Sequence, residues 1–144
     1  MTLVVDASVA VRWHLGLDGT DRADALLQSG EHLIAPDLVF PELSSAIWKS
    51  VIFASTSVDS AIAAIGSAAD FFDEVVPSVA LKDRALRIAV DIRHPVYDCF
   101  YLALAEQRDC RMVTADDRLI ARCARTPFGK LIRPLLSARS GRRR

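Results

Sequence analysis

Short apolar runs alternate along this chain with longer segments whose apolar residues recur every three or four positions. Leu3-Val4-Val5 predicts a short buried strand over residues 3–5. Leu33-Ile34-Ala35, Val75-Val76, the segment Arg111 to Thr114 and Leu131-Ile132 predict four more. Between them the helical period takes over. Ala10, Val11, Trp13 and Leu15 predict a helix capped by Ser8 and ended by Gly16. Ala23, Leu26 and Leu27 predict a second, started by Thr20 or Asp21 and stopped at Gly30. A long helix is expected over residues 38–54, with Asp37 as N-cap and Pro41 tolerated in its first turn. Residues 57–73 predict another, with Ile62, Ile65, Ala69 and Phe72 on one face. A helix from Lys82 to Asp91 is broken by His94-Pro95. Val96-Tyr97-Asp98 opens a strongly apolar helix to Gln107, and Asp117 to Arg125 is the last helix.

Strands that alternate with helices predict an α/β fold, a parallel sheet covered on both faces. The 144 residues fit one domain, expected over residues 1–136, with a basic, disordered tail over 137–144. At 51% hydrophobic but 7% aromatic, the core must be aliphatic and Ala-rich. No apolar run approaches the roughly 20 residues that span a bilayer, and no basic segment precedes Asp6, so the expected location is the cytoplasm. Cys99, Cys110 and Cys123 form no C-x-x-C and read as reduced, buried residues. His14, His32 and His94 show no metal-ligand spacing and read as local structural residues.

Formal net charge is zero, but residues 118–144 carry 9 of the 18 basic residues and no acid, which leaves −9 on residues 1–117. That asymmetry points to a polyanion, or to an acidic protein surface. Four acids stand beside apolar sequence. Asp6 follows the first strand, Glu42 lies within Leu38 to Leu43, Asp98 precedes Cys99 to Ala105, and Asp116 closes Met112-Val113-Thr114-Ala115. A carboxylate in such surroundings costs stability unless something pairs with it. In a parallel sheet, strand ends and helix starts share the edge where ligands bind, so the four have a reason to meet. A cluster of Asp and Glu without His or Cys suits Mg²⁺ or Mn²⁺. Such an ion suits hydrolysis of a phosphodiester by water. No Ser-His-Asp set, P-loop or G-x-G-x-x-G is present. Spacing alone does not separate these four from acids that cap helices or form turns, the role assigned to Asp37, Asp70 and Asp91.

Four segments together resemble the PIN-domain ribonucleases of the VapC type, toxins of bacterial toxin–antitoxin pairs. They are Val4-Val5-Asp6-Ala7-Ser8, Ala35-Pro36-Asp37-Leu38 through Pro41-Glu42-Leu43, Tyr97-Asp98 through Ala105, and Met112 through Leu119. They occur in the family's order over nearly the whole chain. The resemblance implies a three-layer α/β/α fold with a short, mostly parallel sheet. It implies that Asp6, Glu42, Asp98 and Asp116 hold Mg²⁺ or Mn²⁺ in an endoribonuclease acting on RNA, commonly a homodimer. A small VapB-like antitoxin would silence it. Ser8 and Thr114 match positions that support the site through their hydroxyls, and Asp117 either assists a second metal or caps a helix.

Of the aromatics considered for RNA stacking, Tyr97, Trp13, Trp48 and Phe53, the last two are expected in the core or against the antitoxin, and Trp13 fits either side of that choice. Arg12 is expected to be solvated near the Asp6 loop. A haloacid-type phosphatase would need Asp-x-Asp where Asp6-Ala7-Ser8 stands. A receiver domain would need a phosphorylatable Asp after a central strand and a late Lys. A catalytically silent PIN-like module binding RNA or protein is the alternative, and it would usually lack one of the four acids.

Overall fold

The computed structural model describes residues 1–136, so the expected basic tail lies outside the described residues. Five strands, β1 (Thr2–Val5), β2 (His32–Pro36), β3 (Glu74–Val76), β4 (Arg111–Thr114) and β5 (Ile132–Pro134), form one sheet in the order β3-β2-β1-β4-β5. Every pairing is parallel, so the sheet is wholly rather than mostly parallel. β1 lies at the centre with Leu3, Val4 and Val5 buried, as a strand covered on both faces requires.

The helices are α1 (Ala7–Ala10), α2 (Thr20–Leu27), α3 (Val39–Phe53), α4 (Val58–Ser67), α5 (Lys82–Ile92), α6 (Val96–Gln107) and α7 (Asp117–Cys123). α1 to α4 lie on the connections that build the sheet outward from β1 to β3. α5, α6 and α7 serve the crossover back to β4 and the step to β5. Right-handed crossovers in opposite directions put the two sets on opposite faces, giving the three layers. α6 is the central cover: Cys99 and Tyr101 to Ala105 are buried, and the helix touches β1, β2 and β4.

Several boundaries differ from the sequence pattern. Ser8 lies inside α1, and the N-cap position belongs to Asp6. α1 is short and tightens into a 3₁₀ turn over Val11–Trp13. Asp37 does not cap α3, whose N-cap is Leu38. Its carboxylate instead accepts hydrogen bonds from the Ser78 backbone at 2.9 Å and from the Ser78 hydroxyl, tying the two loops after β2 and β3. The helix expected through Asp73 ends at Ser67 in a 3₁₀ turn, which lets Phe72 turn inward. Cys99 and Cys123 are buried and Cys110 is partly so, all three as free thiols.

Candidate active site

The sheet order reverses between β1 and β4: the chain leaves β1 toward β2 but leaves β4 toward β5. The crevice outside the carboxyl ends of those two strands is where open α/β sheets bind ligands. β1 and β4 pair with Val5 beside Val113. One step further puts Asp6 beside Thr114, and the ladder continues with Asp6 N–H donating to Val113 O at 3.1 Å. Asp6 and Asp116 therefore reach the crevice because they lie one and two residues past the ends of its two strands.

Asp6 is 3% exposed. Its Oδ2 accepts from Ser8 Oγ at 2.6 Å and from Thr114 Oγ1 at 2.8 Å. Those hydroxyls in turn accept the N–H groups of Ala115 and Asp116, each at 3.0 Å. Ser8 and Thr114 thus tie the loops after β1 and β4 around one carboxylate. Burial pushes the Asp6 carboxyl up to about 7. The two hydroxyls oppose that rise, and the charges of Asp98 and Glu42 add to it.

Glu42 arrives from the first turn of α3 and Asp98 from the first turn of α6. Tyr101 Oη donates to Glu42 Oε1 at 2.5 Å, and His94 Nε2 is hydrogen-bonded to Asp98 Oδ2 at 2.6 Å. Burial raises both carboxyls above their ordinary values, each opposed by its hydrogen bond. The charge of Asp98 raises Glu42 further, and that of Asp116 raises Asp98. Asp116 caps α7, its Oδ1 accepting from the N–H groups of Arg118 at 3.0 Å and Leu119 at 3.3 Å. The cap therefore belongs to Asp116 and not to Asp117, which is the first helical residue and is exposed.

The four predicted acids are thus electrostatic neighbours, each fixed through one oxygen by a donor of the chain. Among the described residues the second oxygen of each accepts no hydrogen bond. Nor do three His, Cys, Asp or Glu side chains, among the described residues, close up as a ready metal cage. Carboxylate oxygens held this loosely suit a hard ion that keeps part of its water better than zinc.

His94, read from sequence only as a local structural residue, and Tyr101, not singled out there, are the hydrogen-bond partners of Asp98 and Glu42. His94 lies four residues before Asp98 and Tyr101 three after it, which was the available signal. Trp13 proves structural: its indole N–H donates to Ala23 O at 2.8 Å and its ring packs on Phe71 and Phe72. Arg12 is not merely solvated, since it donates to Asp18 O at 2.5 Å and to Ser8 O, bracing the loop behind Asp6. Trp48 and Phe53 are not core residues, being 56% and 78% exposed. Tyr97 is also exposed.

Two depressions meet the acids. Asp98 and Asp116 line a cleft of about 700 Å³ with arginines on its walls. Glu42 lines an apolar groove of about 490 Å³ with Val11, Leu15, Leu17 and Phe53.

Comparison with known proteins bears on the family and the fold. Residues 3–125 match the family model described as PIN domain. Ribonuclease VapC3 of Pyrobaculum aerophilum is 30% identical over 122 residues, covering 83% of this chain and 92% of that protein. A crystal structure of a Pyrobaculum aerophilum protein is similar at a TM-score of 0.69 and 24% identity, over 94% of this chain and 84% of that one. A toxin–antitoxin complex from Klebsiella pneumoniae contains a chain similar at 0.67 and 12% identity, over 94% of this chain and 99% of that one. At those identities the two structures speak for the fold.

Proposed function

The chain belongs to the PIN-domain family, in its VapC type, and from that premise we propose that it is a Mg²⁺- or Mn²⁺-dependent endoribonuclease, the toxin of a toxin–antitoxin pair. One observation carries this reading: four carboxylates from four separate elements gather at the switch point, and among the described residues no Lys or Arg pairs with any of them. Holding them together against burial and mutual repulsion is a cost that a divalent ion would offset.

Asp6, Glu42, Asp98 and Asp116 are the residues that would hold the ion. A bound ion of this kind polarises a phosphoryl group and acidifies a water. The chain itself supplies orientation. Ser8 and Thr114 aim Asp6, and His94 fixes Asp98. The N–H groups at the start of α7 fix Asp116. Burial and the neighbouring acids hold the Tyr101 hydroxyl well above its ordinary value, so it remains a donor to Glu42. Asp117, the exposed first residue of α7 beside Asp116, is the remaining acid that would support a second ion.

The antitoxin is assigned to the face of α3 and α4. Trp48, Ile52, Phe53, Val58 and Ile62 are all more than half exposed there, an apolar stripe too large for a surface that meets only water. The groove beneath Phe53 leads to Glu42, so a segment docked in it would end at the acids. The homodimer contact is assigned to Leu86 and Val90, 59% and 68% exposed one turn apart on α5. No helix among the described residues is long and apolar enough to cross a membrane, and the proposed site of action is the cytoplasm.

The deciding experiment incubates purified protein with a mixed single-stranded RNA pool, with Mg²⁺ or Mn²⁺ and then with EDTA. Cleavage that needs the metal is expected. Cleavage that survives EDTA would refute the metal dependence, and binding without cleavage in any metal would favour the silent binding module.

A further inference from the structure

The cleft beside Asp98 and Asp116 has a composition that metal binding does not explain. One wall is a single face of α7 and its continuation: Arg118, Ala121, Arg122 and Arg125, at steps of three and four residues. Arg93, His94 and Pro95, from the turn between α5 and α6, line the same cleft. All four arginines are exposed. None forms a salt bridge among the described residues, although Asp98 and Asp116 line the same cleft. Elsewhere the chain pairs arginines readily, Arg84 with Glu106 and Arg108 with Glu74. Among the described residues, therefore, the four guanidiniums of the cleft pair with no acid.

Arg93 adds an independent sign. It ends α5 in the left-handed region, at φ 54° and ψ 51°. Glycine takes that position without strain, and a residue with a Cβ does not. A long cationic side chain stands there at a conformational cost, and the direction it faces is the cleft.

We propose that the cleft is the track for the phosphate backbone of a single-stranded RNA on one side of the scissile bond. Arg118, Arg122 and Arg125 form one rail and Arg93 the other. This rests on the ribonuclease reading and extends it. Arg118 and Arg122 are separated by one helical turn, about 6 Å along the axis, a separation comparable to that of successive phosphates in an extended strand. Guanidinium forks suit phosphate oxygens. No Phe, Tyr or Trp among the described residues lines the cleft, so the track grips phosphates more than it stacks bases. Its contribution is uniform over sequence, and discrimination between RNAs falls to other surfaces.

The test uses full-length protein carrying Asp6→Asn, so that RNA is bound and not consumed. A labelled single-stranded RNA oligonucleotide is titrated at several salt concentrations. The triple variant Arg118→Ala, Arg122→Ala, Arg125→Ala should lose affinity by at least about tenfold, and its log–log salt slope should flatten by about 2, near 0.7 per lost phosphate contact. Arg93→Gly should weaken binding about threefold and raise the melting temperature, because glycine relieves the left-handed strain. Arg87→Ala, exposed on α5 outside the cleft, should change neither affinity nor slope. If the folded triple variant keeps the parent's affinity and slope, the track is overturned while the ribonuclease reading stands. If the wild type with metal neither binds nor cuts RNA, both fall. If poly-glutamate binds the wild type as tightly as RNA and the arginine variants lose both, the cleft is an acidic-protein site and the RNA track is overturned.

Discussion

The two edges of the sheet treat their acids in opposite ways. At the amino-terminal edge carboxylates meet cations. Arg108 grips Glu74 through two hydrogen bonds of 2.9 and 2.5 Å, and Arg84 grips Glu106 through two of 2.6 and 2.8 Å. Those hydrogen bonds are the main reason the Glu74 and Glu106 carboxyls lie below their ordinary values. At the carboxyl-terminal edge Asp6, Glu42 and Asp98 are raised, by burial first, and acids face acids. No arginine pairs with them among the described residues, although four line the adjoining cleft. An acid that serves the fold is given a cation, whereas these are held at a cost to the fold, which is the mark of a site.

The comparison is sharpest at Asp6. Asp6→Asn keeps an oxygen for Ser8 and Thr114 but removes the buried charge. RNA cleavage should fall at least about a hundredfold, the usual scale for losing a preorganised charged group. In metal-free buffer above pH 7 the variant should melt no lower than the wild type. A variant that still cleaves at the wild-type rate would show that Asp6 is a structural acid after all.

Thr114→Val probes the support one shell out. The change leaves Asp6 Oδ2 with Ser8 alone and strips the Asp116 N–H of its acceptor. Thr114 is fully buried, so the cost should be about 1–3 kcal/mol in stability. Metal affinity, measured by calorimetry, should drop about 10- to 100-fold. A stability loss with unchanged metal affinity would confine Thr114 to the fold.

Much of this was legible in the sequence, for identifiable reasons. Leu3-Val4-Val5 and Met112-Val113 are short apolar runs bounded by an acid, so the strand ends, and with them Asp6 and Asp116, could be located closely. What spacing could not supply was the choice of these acids over Asp37 or Asp91, and the family resemblance did that. The sheet order, which sets the switch point between β1 and β4, depends on which strands pair and leaves no local trace. Tyr101 and Glu42 are bonded across 59 residues, from α6 to α3, and the match has no sequence period. The caps were misassigned because Ser8 reads as the stronger capping residue, yet its hydroxyl is engaged with Asp6. For Trp48 and Phe53, expected in the core or against the antitoxin, the core half fails because an apolar stripe has the same spacing whether or not its own chain covers it.

The pH response should separate the edges by sign. Asp6 holds its proton more tightly folded, at about 7, than at its ordinary 3.8. Between those values the folded state binds more protons than the unfolded one. Its contribution to metal-free stability is therefore fully present below about pH 4 and lost as pH rises through 7, by at most about 1.4 kcal/mol per unit. Glu74 and Glu106 have the opposite sign, contributing stability above their ordinary values and losing it on acidification. A bound ion competes with the Asp6 proton, so Mn²⁺ should raise the melting temperature more at pH 8 than at pH 5. Equal stabilisation at both would mean that Asp6 is not among the ligands.

The smallest expected effect is the one that can break the contrast outright. Arg108→Ala removes the Glu74 pair at the far edge, where both side chains are more than a third exposed. Exposed pairs contribute little, because water and salt screen them and holding two long side chains costs entropy. The melting temperature should move by no more than about a few degrees, and less at high salt. RNA cleavage should be unchanged, since Arg108 stands at the end of the sheet opposite the acids. A large loss of cleavage by a folded Arg108→Ala protein would mean that the far edge also engages RNA. The division of labour between paired and unpaired acids would then no longer mark out the site.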